Sequence, residues 1–96
     1  LIMRIVLIGP MGSGKSSIGK ILAKKINLKF LDIDKLIEIQ EGIKVKEIFN
    51  TKGENYFRDL EVEALKKSLT VQSAVIATGG GIIQKEINRL LLKKEK

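Results

Sequence analysis

Apolar positions follow two rhythms along this chain, and the switches between them mark out its elements. Residues 4–8 (RIVLI) form a short, β-branched, nearly continuous apolar run, as in strands buried on both faces. A glycine-rich loop ends it. From Lys15 onward, Ile18, Ile21, Leu22 and Ile26 recur at helical spacing, which predicts a helix to about Lys25 with Asn27 as its stop. A second strand is expected over 29–33 (KFLDI). Leu36, Ile37 and Ile39 then predict a helix that closes at Gly42.

The middle of the chain is less regular. Residues 45–49 predict a short helix, and NTKGEN (50–55) reads as a break. Phe57, Leu60, Ala64 and Leu65 make the apolar face of a longer helix over about 54–68. Residues 74–77 (AVIA) read as a third buried strand, which runs into Gly79, Gly80 and Gly81. A final helix is expected over 85–93. Helices crossing between short apolar strands predict an α/β fold, a parallel sheet with flanking helices. Three strands are few for such a sheet, and the chain stops where another would be expected. No repeat, low-complexity tract or linker interrupts it.

Composition narrows the chemistry. Ninety-six residues make one small domain or part of a larger one, and 44% hydrophobic content suffices for a core. No apolar run reaches the ~18 residues of a membrane span, and the amino-terminal LIMRIVLIG reads as strand, not as a cleaved leader. With no cysteine and no histidine, disulfides, thiol nucleophiles, imidazole bases and Cys/His zinc sites are excluded. This composition fits a cytoplasmic protein. The net charge of +7 comes from lysines scattered along helices, with few aromatics among them, so it reads as a solvated surface and not as a nucleic-acid stripe. Some of it suits anionic small molecules.

One motif is specific. Gly9–Ser16 (GPMGSGKS) fits G-x-x-x-x-G-K-[ST] at every fixed position. Chance supplies such a match in roughly one chain of this length in a few hundred, and here a strand precedes it and a helix follows. Glycines at 12 and 14 let backbone N–H groups turn inward around phosphate oxygens. Lys15 supplies charge to β- and γ-phosphates, Ser16 a hydroxyl for Mg²⁺, and the helix its N-terminus.

Other candidates are less specific. Asp32 and Asp34, two apart on an extended chain, point to one side near the loop. One carboxylate suits a metal, and the other could hold or deprotonate an acceptor hydroxyl; alternatively, Asp34 simply caps the next helix. Arg58 could capture a substrate carboxylate bidentately, or pair with Glu54 four residues earlier on a helix face. The triplet Gly79–Gly81 allows close approach of a ligand, or is a flexible turn.

Taken in order, GPMGSGKSSIGK, DIDK, FRDLE and ATGGGII resemble the shikimate kinases over nearly the whole chain. The resemblance implies a P-loop kinase fold, with strand order 2-3-1-4-5, that transfers the ATP γ-phosphoryl group to the 3-hydroxyl of shikimate. It implies nucleotide contacts from Gly12, Ser13, Gly14, Lys15, Ser16 and Ser17, and Mg²⁺ held by Ser16 and Asp32. It makes Lys15 and Asp34 catalytic, with Asp34 also binding shikimate hydroxyls. Arg58 would pair with the shikimate carboxylate, and Gly79, Gly80 and Gly81 would line the same pocket. Phosphoryl transfer depends on positioning and charge neutralisation, so it needs neither His nor Cys.

Members of that family continue into a mobile lid and a carboxyl-terminal part with further arginines. Residues 1–96 are therefore expected to be the amino-terminal portion of one kinase domain, truncated to about three strands and incomplete for catalysis alone. The first strand would become an open edge prone to self-association, whereas the full-length protein is expected to be a monomer. The other readings are a different P-loop kinase, such as a gluconate kinase, and a non-catalytic phosphate-binding remnant.

Overall fold

The computed structural model describes residues 3–9, 15–79, 81–82 and 86–93. The glycine loop at 10–14 and Gly80 lie outside them. The elements are β1 (Met3–Leu7), α1 (Lys15–Lys25), β2 (Lys29–Asp32), α2 (Ile33–Glu41), α3 (Val45–Lys52), α4 (Glu54–Ser68), β3 (Ser73–Ala77) and α5 (Glu86–Lys93).

The three strands form one parallel sheet in the order β1-β3-β2. The register sets Val6, Ile76 and Leu31 in one row, and Leu7, Ala77 and Asp32 in the next. Residues 74–77 of the central strand are buried to 1% exposure or less, because neighbouring strands and helices cover it on all sides. Among the described residues, β1 pairs with β3 alone.

Alternation along the strands divides the layers. Ala74 and Ile76 join Ile33, Ile37, Ile48, Phe57, Ala64, Leu65 and Ile82 in one core, with Val6 and Leu31 packed beside them. This is the face covered by α2, α3 and α4. Each large aliphatic side chain fully buried there stabilises the fold by about 1.5–3 kcal/mol relative to exposure. On the opposite face α1 crosses β3 and β2. Gly19 makes that approach possible, since a Cβ there would run into the Phe30 ring and lie 3.2 Å from Leu7 Cδ1.

Turn chemistry sets the boundaries. After α1, Asn27 takes φ 58°, the left-handed region that asparagine tolerates, and Leu28 N–H donates back to Ala23 O at 2.9 Å. Gly42, at φ 76°, ends α2 by donating to Glu38 O. The break expected over 50–55 shrinks to one residue. Gly53, at φ 90°, donates to Ile48 O and Phe49 O, and α3 runs through Asn50, Thr51 and Lys52 up to it.

The second strand is also shorter than expected. It stops at Asp32, whose Oδ1 accepts Lys35 N–H at 3.3 Å, so the helix begins at Ile33. Asp34 therefore sits in the first turn of α2, and Asp32 does the capping. Asp32 and Asp34 are therefore not aimed to one side by an extended strand, as expected from their spacing, because the chain is already helical at Asp34.

Candidate active site

The carboxyl ends of the three strands meet at one end of the sheet. Thr78 joins two of them: its N–H and its Oγ1 both donate to Leu7 O, at 3.1 and 2.8 Å. This holds Ile8 and Gly9, the entrance to the glycine loop, beside Gly79. Asp32 ends the third strand in register with Ala77. The carboxylates of Asp32 and Asp34 both sit where the dipole of α2 favours negative charge.

Above this end, α4 contributes Arg58. Its guanidinium is held by two carboxylates of its own helix. NH1 donates to Glu61 Oε1 at 2.8 Å, while Nε and NH2 donate to Glu54 Oε2 at 3.2 and 3.1 Å. The Phe49 and Phe57 rings stand 5.7 and 5.5 Å from its central carbon, within cation–π reach. Burial alone would lower the Arg58 pKa. The hydrogen bonds and charges of Glu61, then Glu54, outweigh it and raise the value.

Glu61 is the residue that the sequence reading missed. It is 1% exposed, on the buried stripe of α4 with Phe57, Ala64, Leu65 and Ser68. Burial pushes its carboxyl above the ordinary glutamate value, a negative Glu54 adds to the shift, and Arg58 opposes it. Its Oε2 is buried without a hydrogen-bond partner among the described residues. The signal was present within FRDLE: an acid on the core-facing side of a helix, three residues after an arginine.

The glycines after β3 bring these groups together. A Cβ on Gly79 would lie 2.8 Å from Asp34 Oδ1 and 3.1 Å from Glu61 Oε2. One on Gly81 would run into Arg58 NH1 and lie 2.6 Å from its central carbon. Gly79 thus lies against two carboxylates, and Gly81 against a guanidinium. Two further bonds hold the helices that carry them. Tyr56 OH donates to Glu41 Oε1 at 2.9 Å, tying α4 to α2, and Glu38 Oε2 accepts Val45 N–H at 2.8 Å, tying α3 to α2.

Of the sequence-derived candidates, the fold brings Asp34, Arg58, Gly79 and Gly81 together. Lys15 and Ser16 open α1, Ser17 is exposed in its first turn, and Asp32 caps α2. Gly12, Ser13, Gly14 and Gly80 lie outside the described residues. Among the described residues no three acids gather as a cation site. Asp32 offers a hard oxygen donor of the type Mg²⁺ takes.

A parallel sheet with helices on both faces, and the sequence GPMGSGKS directly after its first strand, belong to a P-loop kinase fold. The chain belongs to the shikimate kinase family, whose model matches residues 11–96. It is 53% identical over 90 residues to the shikimate kinase of Sulfurihydrogenibium sp., covering 94% of this chain and 54% of that protein. It is 51% identical over 94 residues to the bifunctional shikimate kinase/3-dehydroquinate synthase of Thermotoga maritima, covering 98% of this chain and 19% of that protein. Among solved structures, shikimate kinase from Aquifex aeolicus superposes with a TM-score of 0.91 at 43% identity, over 97% of this chain and 59% of that one. Shikimate kinase from Acinetobacter baumannii in complex with shikimate gives 0.94 at 39%, over 98% and 52%. The chain spans about half the length of the single-function relatives it matches.

Proposed function

We propose that this chain supplies the phosphate cradle and acceptor site of a shikimate kinase, which transfers the γ-phosphoryl group of ATP to the 3-hydroxyl of shikimate. One observation carries the reading: two carboxylates and a guanidinium converge on the same glycine segment. Carboxylates suit hydroxyl donors, and a held guanidinium suits a carboxylate. A ligand that satisfies both is a hydroxylated acid; shikimate and gluconate both are, and membership of the shikimate kinase family favours shikimate.

In this reading Asp34 orients the acceptor hydroxyl. A carboxylate is a far weaker base than an alkoxide, so Asp34 takes the proton late, as the oxygen bonds to phosphorus and the bond to the β-phosphate breaks. Arg58 fixes the carboxylate end of the acceptor. The backbone from Gly12 to Gly14, with Lys15, Ser16 and Ser17, holds the phosphates, and Gly80 lines the acceptor pocket between Gly79 and Gly81. Asp32 and Ser16 would hold Mg²⁺, which when bound neutralises phosphate charge. The complete protein would act as a cytoplasmic monomer.

Binding and turnover test this. Calorimetry on this chain is expected to register shikimate but not gluconate. A coupled ADP-release assay, on protein extended to the length of its relatives, is expected to report phosphorylation of shikimate. Turnover of gluconate in preference to shikimate would overturn the assignment.

A further inference from the structure

The two acids that hold Arg58 differ in their freedom to leave it. Glu61 is 1% exposed, so releasing Arg58 would strand a buried carboxylate. The Glu54 side chain is 54% exposed, and rotation into water costs it little. Yet Glu54 takes the larger share of the fork, since one of its oxygens accepts from both Nε and NH2. That Nε–NH2 edge is one of the two edges through which a guanidinium grips a carboxylate with parallel bonds.

Arg58 cannot move aside to meet a ligand. Glu61 fixes NH1, two aromatic rings stand beside the guanidinium, and the Gly81 backbone lies against it. A carboxylate that docks on Arg58 must therefore come to it where it stands. The group in its way that is easiest to displace is Glu54.

We infer that Glu54 is an exchangeable stand-in for the acceptor's carboxylate: it occupies the Nε–NH2 edge of Arg58 when the site is empty and rotates into solvent when the acid docks. Glu54 is then a specificity-determining residue. It keeps weakly held anions off Arg58, and its displacement subtracts from the affinity of the correct acid. The inference rests on Arg58 as the receiver of the acceptor carboxylate.

The test is nuclear magnetic resonance on the 96-residue chain, following the Arg58 Nε–H and the Glu54 side-chain carboxyl carbon during a shikimate titration. Both signals are expected to move, with Glu54 ending at the shift of a solvated carboxylate. In Glu54→Gln, shikimate is expected to bind about two- to fivefold more tightly, the range of an exposed ion pair. Affinity for the uncharged methyl ester of shikimate should not change. If Arg58 responds and Glu54 does not, the exchange is overturned while the acceptor assignment stands. Weaker or unchanged shikimate binding in Glu54→Gln also overturns it, because Glu54 would then be organising Arg58 and not competing for it. If neither signal moves at saturating shikimate, the acceptor assignment fails and takes the exchange with it.

Discussion

Gly79 faces Asp34 so closely that a side chain at position 79 would place its first carbon 2.8 Å from Asp34 Oδ1. The contact joins the exit of the central strand to the first turn of α2, and Glu61 Oε2, 3.1 Å from the same point, adds the third element. Gly79→Ala is expected to push the two carboxylates apart without unfolding the chain, because the crowded atoms are side-chain ends. Shikimate affinity should fall about tenfold, an energy of about 1.4 kcal/mol. The urea unfolding free energy should change by less than about 1 kcal/mol. Calorimetry and a denaturant titration on the same preparation check both. Equal affinity in the two proteins would mean that the carboxylates do not define the acceptor site.

Glu61 makes the fold's stability depend on pH in a direction opposite to that of most surface acids. Its folded carboxyl is held above the ordinary value of 4.5, chiefly by burial. The folded state therefore binds the proton more tightly than the unfolded state. The stabilisation from this group is fully present below the ordinary value and is lost as the pH rises through the raised folded value. Glu61→Gln removes the titration but keeps an oxygen for Arg58. The stability of wild type minus that of Glu61→Gln is thus expected to shrink as pH rises from 4 toward neutrality. Urea midpoints at several pH values measure it, and a constant difference would show that burial does not shift Glu61.

Gly19 sets how closely α1 approaches the sheet. Alanine is favoured over glycine in a helix by about 1 kcal/mol, but here the added methyl would press into the Phe30 ring and Leu7. Overpacking of this kind costs about 1–3 kcal/mol. The contact is with the sheet's own side chains, so the clash wins, and Gly19→Ala is expected to lower stability by about 1 kcal/mol. A thermal or urea melt checks the sign. A stabilised variant would mean that α1 can lift away from β2 at no cost.

Much of this architecture was legible in the chain, for a physical reason. The bounds of α1 and α4 follow from unbroken apolar spacing between an asparagine or glycine and a polar turn, and α2 closes at Gly42 as the residue type suggests. Where the reading slipped, two local rules competed. The apolar Ile33 looked like the end of a strand, but Asp32 already satisfies the α2 amides, and capping decided the boundary. Asn50 to Lys52 looked like a turn, yet Gly53 alone supplies the positive φ that ends α3. The Arg58–Glu54 pair was legible as an i, i+4 spacing. Glu61 was not recognised, because an acid within a polar-looking FRDLE shows its burial only once Phe57, Ala64 and Leu65 turn the same face inward. Periodicity reveals which face is buried. It does not say which buried charge meets a partner from another element.

In the proposed site Asp34 and Arg58 would hold opposite ends of the acceptor, so their loss should read differently. On that proposal Arg58 would meet the acid group, which does not react, and would contribute equally in the ground state and the transition state. Arg58→Lys keeps the charge but loses the planar fork, and should raise the shikimate KM by at least about tenfold, with a smaller effect on kcat. Asp34 would face the hydroxyl that gains the phosphoryl group. Asp34→Asn keeps the shape but cannot accept the proton, and should lower kcat by about 10²–10⁴-fold with ATP affinity little changed. Steady-state kinetics in protein extended to the length of its relatives, with ATP binding measured separately, separates the two. If Asp34→Asn weakened ATP binding as much as turnover, Asp34 would belong to the nucleotide side of the site, and the acceptor hydroxyl would need another partner.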